Sequence, residues 1–232
     1  MKKLKDFAEL RLQAVEELKA QGILRDPNII KAMNKVPREE FLPDDVKSYA
    51  YVDSPLPIGF GQTTSALHMT ALFCEYGEMK LGQKVFEVGG GCGYMSCVYA
   101  EVVAPVEQPK EAWGHVWSAE LIPELAELGR ENVERSGYAD RVTFVQSDGS
   151  EGLEGRGPFD LIIVTSAAPD IPEELVNEVK QGGILLIPVG GAQFYQQLIR
   201  VRKRANEKLV RENLGGVAFV PMKGKRGWGP DR

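Results

Sequence analysis

The sequence predicts a single α/β domain, in which helices cover both faces of a parallel sheet and an antiparallel hairpin forms one edge. Three observations favour this fold. The chain has 232 residues, a length that suits one domain of this class. Apolar residues make up 43% of it and charged residues 26%, as in ordinary globular proteins. After residue 82, short β-rich runs alternate with helical stretches, the pattern typical of a parallel sheet.

The N-terminal third predicts helices followed by a loop. Apolar residues recur at steps of three and four up to residue 20, which indicates an amphipathic helix. Asp26 then caps a second helix, with Pro27 in its first turn. Prolines and glycines are frequent over residues 42–62, so we expect an irregular loop there and a third helix that begins near Ser65.

The α/β region predicts five strands with helices between them, followed by two more strands. The first five strands are predicted at residues 84–88, 115–119, 142–146, 161–165 and 184–189, with helices that end near 103 or cover 123–135 and 172–180. Residues 196–203 and 216–221 predict two strands with no helix between them, which indicates the antiparallel hairpin at the edge. We interpret residues 103–114, which are rich in prolines and polar residues, as an exposed insertion.

Charge and cysteine content limit the partners and the compartment. The formal net charge of −5 offers no basic surface to nucleic acid or to an anionic membrane, and no apolar run approaches the ~20 residues of a membrane span. We therefore expect neither partner. Three cysteines without a C-x-x-C spacing, and an N-terminus without an apolar signal region, favour a reduced cytoplasmic protein. His68 and His115 have no partner at ligand spacing, so we expect no metal.

A glycine-rich loop follows the first strand of the α/β region and opens a helix, with the sequence Glu87-Val88-Gly89-Gly90-Gly91-Cys92-Gly93. Open α/β sheets bind ligands at this edge. The third glycine comes one residue too early for the dinucleotide fingerprint, and no Lys-Ser or Lys-Thr follows, as a P-loop requires. The Glu-x-Gly-x-Gly-x-Gly form resembles the first motif of S-adenosylmethionine-dependent methyltransferases. Such a loop suits a zwitterionic ligand, whose ammonium Glu87 would attract directly or through water. A tight turn without a ligand is the alternative.

Two further strand ends carry acidic residues. Glu120 ends the second strand of the region, where a carboxylate can accept both hydroxyls of a ribose. The alternative is a surface residue at a helix start. Asp148-Gly149 follows the third strand, in the position for an adenine amino group, and a plain Asp-Gly turn is the alternative. Together with the glycine loop, these residues favour a nucleoside site.

Motifs along the chain are similar to those of a narrower family, the protein-L-isoaspartate O-methyltransferases. The similarity runs from about residue 10 to residue 222. The motifs that carry it include Val36-Pro37-Arg38-Glu39-Glu40-Phe41, Leu56-Pro57-Ile58-Gly59, Gly61-Gln62-Thr63-x-Ser65, Pro158-Phe159-Asp160 and Pro188-Val189-Gly190.

This resemblance implies a Rossmann-like, seven-stranded methyltransferase sheet in one domain over residues 1–232. Residues 1–80 would form a helical and substrate-loop extension, 81–222 the cofactor-binding core and 223–232 a mobile tail. The implied reaction esterifies the free α-carboxylate of L-isoaspartyl residues in damaged proteins and peptides, which starts their repair. The implied cofactor is S-adenosyl-L-methionine, with S-adenosyl-L-homocysteine as product. We expect a monomer.

The resemblance also implies the site residues. Ser65 is the implied catalytic residue, and its hydroxyl would orient the substrate carboxylate or hold the loop shut. A helix N-cap is the alternative role for Ser65. The expected cofactor-binding residues are Gln62, Thr63, Glu87, Gly89, Gly91, Gly93, Glu120, Leu121, Asp148 and Gly149.

One departure from the family pattern keeps another function open. Leu67 stands where the family generally has proline, and leucine does not fix φ. A methyltransferase of the same fold that acts on another peptide or small-molecule carboxylate is therefore an alternative. The glycine spacing disfavours a second alternative, a nicotinamide-dependent oxidoreductase. A third, a non-catalytic binder, is disfavoured by the presence of Ser65.

Overall fold

A seven-stranded sheet forms the centre of the computed structural model, which describes residues 6–192 and 195–229. The strand order is β5-β4-β3-β6-β7-β8-β9; β3 to β7 are parallel, and β8 and β9 run antiparallel at one edge. The predicted fold class is confirmed. The strands are β3 (Lys84–Val88), β4 (His115–Glu120), β5 (Val142–Gln146), β6 (Phe159–Val164), β7 (Val179–Gly190), β8 (Gln196–Lys203) and β9 (Leu209–Val217).

Alternating side chains of the buried strands supply two separate apolar clusters, one on each face of the sheet. In β6, Leu161 and Ile163 belong to one cluster, whereas Ile162 and Val164 belong to the other. The first cluster also contains residues of α1 to α5, and the second contains Leu175 of α6. The helices are α1 (Phe7–Ala20), α2 (Pro27–Lys35), α3 (Leu67–Tyr76), α4 (Tyr94–Val103), α5 (Pro123–Arg135) and α6 (Glu173–Glu178). No helix in the described part of the chain is long and apolar enough to cross a membrane.

The segment before α3 differs from the irregular loop that the sequence predicts. Residues Leu56–Gly59 form β1, which pairs antiparallel with β2 (Gln62–Thr64). Leu56 and Ile58 are buried and alternate with exposed Pro57 and Gly59, so the strand has the usual period of two. Proline and glycine within the strand hide this alternation in the sequence. The predicted cap of α2 is confirmed, because the Asp26 carboxylate accepts from the Asn28 N–H at 2.7 Å.

The C-terminal residues leave the sheet earlier than predicted. The last strand is β9 (Leu209–Val217) rather than 216–221, because the chain then crosses to the loop after β6. There the Ala167 N–H donates to Val220 O at 2.8 Å, and the Met222 N–H donates to Ala167 O at 2.8 Å. We name residues 221–229 the C-terminal strap.

The strap is anchored where the sequence predicts a mobile tail. The Trp228 indole N–H donates to Ala167 O at 3.0 Å, and the Lys225 ammonium pairs with Glu151 at 2.6 Å. The Lys225 backbone N–H donates to an Asp148 carboxylate oxygen at 2.7 Å. We therefore now expect residues 223–229 to be held in place, whereas residues 230–232 lie outside the described residues. The division of the chain after residues 80 and 222 stays a prediction.

Candidate active site

A crevice lies at the carboxyl ends of the parallel strands, and its volume of about 600 Å³ is partly open to solvent. The strap and the β1–β2 hairpin complete its walls. Eight of the predicted cofactor-binding residues line it, namely Gln62, Thr63, Gly89, Gly91, Glu120, Leu121, Asp148 and Gly149. The structure therefore brings together residues from the hairpin and from three successive strand ends, whereas Glu87 and Gly93 are not among the lining residues.

The carboxylate of Glu120 is held in a fixed orientation at the crevice wall. One oxygen accepts from the Gly91 backbone N–H at 3.0 Å and the other from the Ile122 N–H at 2.9 Å. The side chain is mostly buried but lines the crevice. Because each carboxylate oxygen has two lone pairs, both oxygens can still accept a hydroxyl from a ligand. Glu120 thus links the glycine loop to the ribose position that the sequence predicts.

Glu87 lies beneath the glycine loop and is fully buried. Its Oε2 accepts from the Ser118 hydroxyl at 2.7 Å and from the Ser96 hydroxyl, while Oε1 has no partner among the described residues. Burial raises the pKa of Glu87 to about 7; the two serine hydrogen bonds oppose this shift and the negative charge of Glu120 adds to it. Glu87 is fully buried and is not among the residues that line the crevice, so its attraction of a ligand ammonium, directly or through water, stays a prediction.

Gly93 also has a structural position. It is the N-cap of α4 with a left-handed backbone (φ 84°), and an added Cβ would lie 3.0 Å from the Gly129 carbonyl oxygen. A side chain there would be strained and would push α4 away from α5. The nearby Cys92 carbonyl accepts from the Asn132 side-chain amide at 2.9 Å, which holds the loop against α5. Gly93 therefore shapes the crevice without lining it.

The Asp148-Gly149 turn is tied to the strap. One Asp148 oxygen accepts from the Ser150 N–H at 3.0 Å and from the Ser150 hydroxyl at 2.6 Å, and the other accepts from Lys225 N–H. A Cβ on Gly149 would lie 3.0 Å from Val88 Cγ1, so the position favours glycine. The carboxylate retains lone pairs for one further donor, as the predicted contact with an amino group requires.

A second, larger groove of about 1500 Å³ adjoins the crevice and is open to solvent. Three residues line both cavities: Thr63, Thr165 and Val220. The Thr165 hydroxyl donates to Gly89 O at 2.7 Å, so it also fixes the first glycine of the loop. Thr165 is not among the site residues predicted from the sequence, although its position after a core strand resembles that of Glu120. Among the lining residues of the groove are Ser65, His68, Met69, Leu72, Tyr76, Leu198, Leu214 and Phe219.

Ser65 lines this groove immediately before α3. The N-cap of α3 is Ala66, without a side-chain cap, so the alternative role of Ser65 as a helix cap is wrong. Leu67 is the first helical residue, the N1 position in which proline is common, and it is buried in the core. The departure from the family proline therefore lies in the core, and Leu67 is not among the residues that line the groove.

Arg38 is not among the site residues predicted from the sequence, but it binds the backbone of Ser65. Its guanidinium is fully buried, and Nη2 donates to Ser65 O at 2.8 Å. The same group donates to the carbonyl oxygens of Ala50 (2.7 Å), Val52 (3.4 Å) and Ser54 (3.3 Å). The available signal was its place in the segment Val36-Pro37-Arg38-Glu39-Glu40-Phe41, where a charged group adjoins buried apolar residues.

Comparisons with known proteins identify relatives that match nearly the whole length of the chain. The family model of the protein-L-isoaspartate(D-aspartate) O-methyltransferases matches residues 10–227. The chain belongs to this family. A protein-L-isoaspartate O-methyltransferase of Hyperthermus butylicus is 50% identical over 222 residues, which cover 96% of this chain and 92% of the relative. The enzyme of the same description from Pyrococcus horikoshii is 44% identical, with 97% of each chain covered.

Solved structures of family members share the fold. One solved protein-L-isoaspartate O-methyltransferase is 32% identical, with a TM-score of 0.82 and coverage of 94% of this chain and 67% of that one. A Plasmodium falciparum chain described as such an enzyme, in complex with S-adenosyl-L-homocysteine, has a TM-score of 0.79 and 26% identity, and covers 92% of this chain and 98% of its own. The expected family, fold and S-adenosylmethionine cofactor are confirmed.

Features of this chain fit that cofactor. The Glu120 carboxylate is oriented by two backbone N–H groups and has lone pairs left for ribose hydroxyls. The turn at Asp148 can accept from an amino group, and glycines bring the backbone close to the crevice. The family match excludes the alternative function of a nicotinamide-dependent oxidoreductase.

Proposed function

We propose that this chain esterifies the free α-carboxylate of L-isoaspartyl residues in damaged proteins and peptides, with S-adenosylmethionine in the crevice and the peptide in the groove. The single observation that carries the proposal is the junction of the two cavities at Thr63, Thr165 and Val220, beside Ser65. When bound, the cofactor supplies an electrophilic methyl group on a sulfonium. The family match supports the same reaction.

In this proposal, residues of the crevice divide the recognition of the cofactor among them. Glu120 accepts from the ribose hydroxyls, and Asp148 accepts from the adenine amino group beside Gly149. Gln62 and Thr63 close the crevice from the hairpin side, and Leu121 adds an apolar wall. The remaining predicted residues, Glu87 and Gly93, act indirectly by supporting the glycine loop.

The substrate carboxylate needs no strong general base. With an ordinary pKa near 3.5 it is ionised at neutral pH, so the contribution of the protein is positioning. Alignment of a carboxylate oxygen with the methyl group can supply about 7 to 11 kcal/mol of the reduction in the barrier. The transfer neutralises two opposite charges, so apolar surroundings such as Met69, Leu72 and Phe219 of the groove favour it.

Ser65 is the proposed catalytic residue. Its hydroxyl forms no hydrogen bond to another described residue, and Arg38 fixes its backbone by donating to Ser65 O. The hydroxyl can therefore donate to the carboxylate oxygen that is not methylated, which leaves the other oxygen free to attack. This role differs from that of a structural serine, because it changes turnover without changing cofactor binding.

The test is transfer of a labelled methyl group to an isoaspartyl peptide and to its aspartyl twin. We expect a base-labile ester on the isoaspartyl peptide alone. Ser65→Ala should lower kcat by about two orders of magnitude or more, while the affinity for S-adenosylhomocysteine stays within about twofold. Equal methylation of both peptides, or of neither, would contradict the proposed substrate, and an unchanged kcat in the variant would remove Ser65 from catalysis.

We also propose that the protein works as a monomer in the cytoplasm. The free cysteines Cys74, Cys92 and Cys97 are buried, as suits a reducing compartment. Light scattering of the purified protein tests the first statement, and fractionation of the source cells tests the second.

A further inference from the structure

His68 forms an ordered pair with Asp53 at the wall of the groove that contains Ser65. Its backbone N–H donates to Asp53 Oδ1 at 2.9 Å, and its Nδ1 lies 2.9 Å and 3.0 Å from the two carboxylate oxygens. Because an ionised carboxylate can only accept, Nδ1 carries a proton. Nε2 has no partner within residues 6–192 and 195–229, so it is the ring atom left for a ligand in the groove.

The pair is held in place from the protein core. Arg38 donates to the carbonyl oxygens of Val52 and Ser54, the two neighbours of Asp53, and also to Ser65 O. Asp53 in turn accepts from the second backbone N–H of α3, where the helix has no cap from its own N-cap residue. One buried guanidinium therefore fixes Ser65 and, through Asp53, His68 in the same groove.

The surroundings of the pair favour a positive charge on His68. The Asp53 hydrogen bond raises the pKa of His68 above its ordinary value, although partial burial opposes this. Burial acts to raise the pKa of Asp53, but the hydrogen bonds from His68 and the charge of Arg38 outweigh it and hold that pKa below the ordinary value. The other titratable side chains lining the described groove are Tyr76 of α3 and Tyr195. Among these side chains only His68 can carry a positive charge, and its hydrogen bond with Asp53 favours the charged form.

We propose that His68 binds the substrate, by donating from Nε2 to the α-carboxylate oxygen of the isoaspartyl residue that is not methylated. This inference rests on the proposed function and adds to it a residue that distinguishes substrate from product. The substrate carboxylate carries a negative charge and pairs with His68, whereas the methyl ester is neutral and loses the charge-assisted part of that hydrogen bond. The same contact that binds the substrate therefore favours release of the ester.

The test compares the binding of two peptides to the complex of the protein with S-adenosylhomocysteine, in which no methyl transfer can occur. One peptide carries the isoaspartyl α-carboxylate and the other carries its neutral carboxamide. Calorimetry should give a preference for the carboxylate at about pH 6 that falls as the pH rises to about 8.5, because His68 loses its proton. His68→Gln should reduce the preference at pH 6 by about tenfold and abolish its pH dependence.

Two further variants sharpen the comparison. Asp53→Asn removes the group that keeps His68 protonated, so the fall in carboxylate preference should move to lower pH. His115→Gln is the matched control, since His115 lies at the start of β4 and bonds to Thr143, away from the groove. It should behave like the wild-type protein at every pH.

The outcomes separate this inference from the proposed function. If wild-type protein fails to methylate isoaspartyl peptides, the proposed function is wrong. If it methylates them and His68→Gln keeps both the wild-type carboxylate preference and its pH dependence, the inference alone is overturned. A stabilising shift with S-adenosylhomocysteine shows that each variant is folded.

Discussion

The buried carboxylate of Glu87 shows how one residue of a cofactor motif can act through the fold. Its partners are the hydroxyls of Ser96 and Ser118, and no described residue binds its second oxygen. A buried carboxylate is costly when charged, so the protein stabilises the protonated form and the pKa rises to about 7. The free energy of unfolding should therefore depend on the ionisation of Glu87.

Glu87→Gln should become more stable relative to the wild-type protein as the pH rises from about 5 to about 8. The wild-type carboxyl has a higher pKa folded than unfolded, so its contribution is present at low pH and is lost as the pH rises through about 7. Glutamine does not titrate and escapes this loss. Urea unfolding at both pH values should give a relative change on the order of 1 to 3 kcal/mol.

The control for this measurement is Glu131→Gln, an exposed position on α5. It should differ from the wild-type protein by the same small amount at both pH values. A Glu87→Gln difference that is constant between the two pH values would show that Glu87 does not titrate in this range, and the buried position would then have to be solvated in a way that the structure does not indicate.

At the scale of elements, sequence patterns within a few residues were sufficient to predict the strands of the core. They were insufficient to predict the contacts that shape the groove around Ser65. The Asp26 cap and the strands β3, β4 and β5 follow from patterns within a few residues, and they are found close to where the sequence predicts them. The contacts of Arg38 with Ser65 and of Asp53 with His68 join residues 27 and 15 positions apart. Such contacts depend on how the loop folds back, which no local periodicity reports.

Arg38→Lys should impair methyl transfer more than it impairs cofactor binding. A lysine ammonium offers one compact donor group and cannot reach the four carbonyl oxygens that the guanidinium fork holds apart. We expect a loss of about 2 to 4 kcal/mol in the free energy of unfolding. We also expect kcat to fall by up to about a hundredfold, because Ser65 loses its fixed position.

The matched control is Arg141→Lys, which alters a second buried arginine far along the chain from Ser65. Arg141 donates to Glu101 at 3.0 Å and to the Ala104 carbonyl at 3.1 Å, at the C-terminal end of α4. This variant should also be destabilised, but its folded fraction should keep the wild-type kcat. If the two variants lose kcat equally, Arg38 acts through general stability and not through the position of Ser65.

At the scale of the whole molecule, the crevice is assembled from segments that are distant in sequence. Strand ends supply Gly89, Glu120 and Asp148, which the alternation of strands and helices predicts, because parallel strands end at one edge. The hairpin supplies Ile58 and the strap supplies Met222, which pack there only after the chain has folded. This explains why the pattern of strands and helices predicts the strand-end residues but not Ile58 and Met222, whereas Gln62 and Thr63 of the hairpin were expected only from the family resemblance.

Because the crevice draws on the hairpin, the sheet edge and the strap together, S-adenosylhomocysteine should stabilise the chain as a unit. A ligand that binds only the folded state at a hundredfold excess over its Kd adds about 2.7 kcal/mol, which corresponds to a rise in Tm of about 5 to 10 °C for a domain of this size. NAD should give no shift, since the glycine spacing is wrong for a pyrophosphate. Thermal unfolding with each ligand measures this; a shift with NAD and none with S-adenosylhomocysteine would mean that Glu120 and the glycine loop bind a different nucleotide.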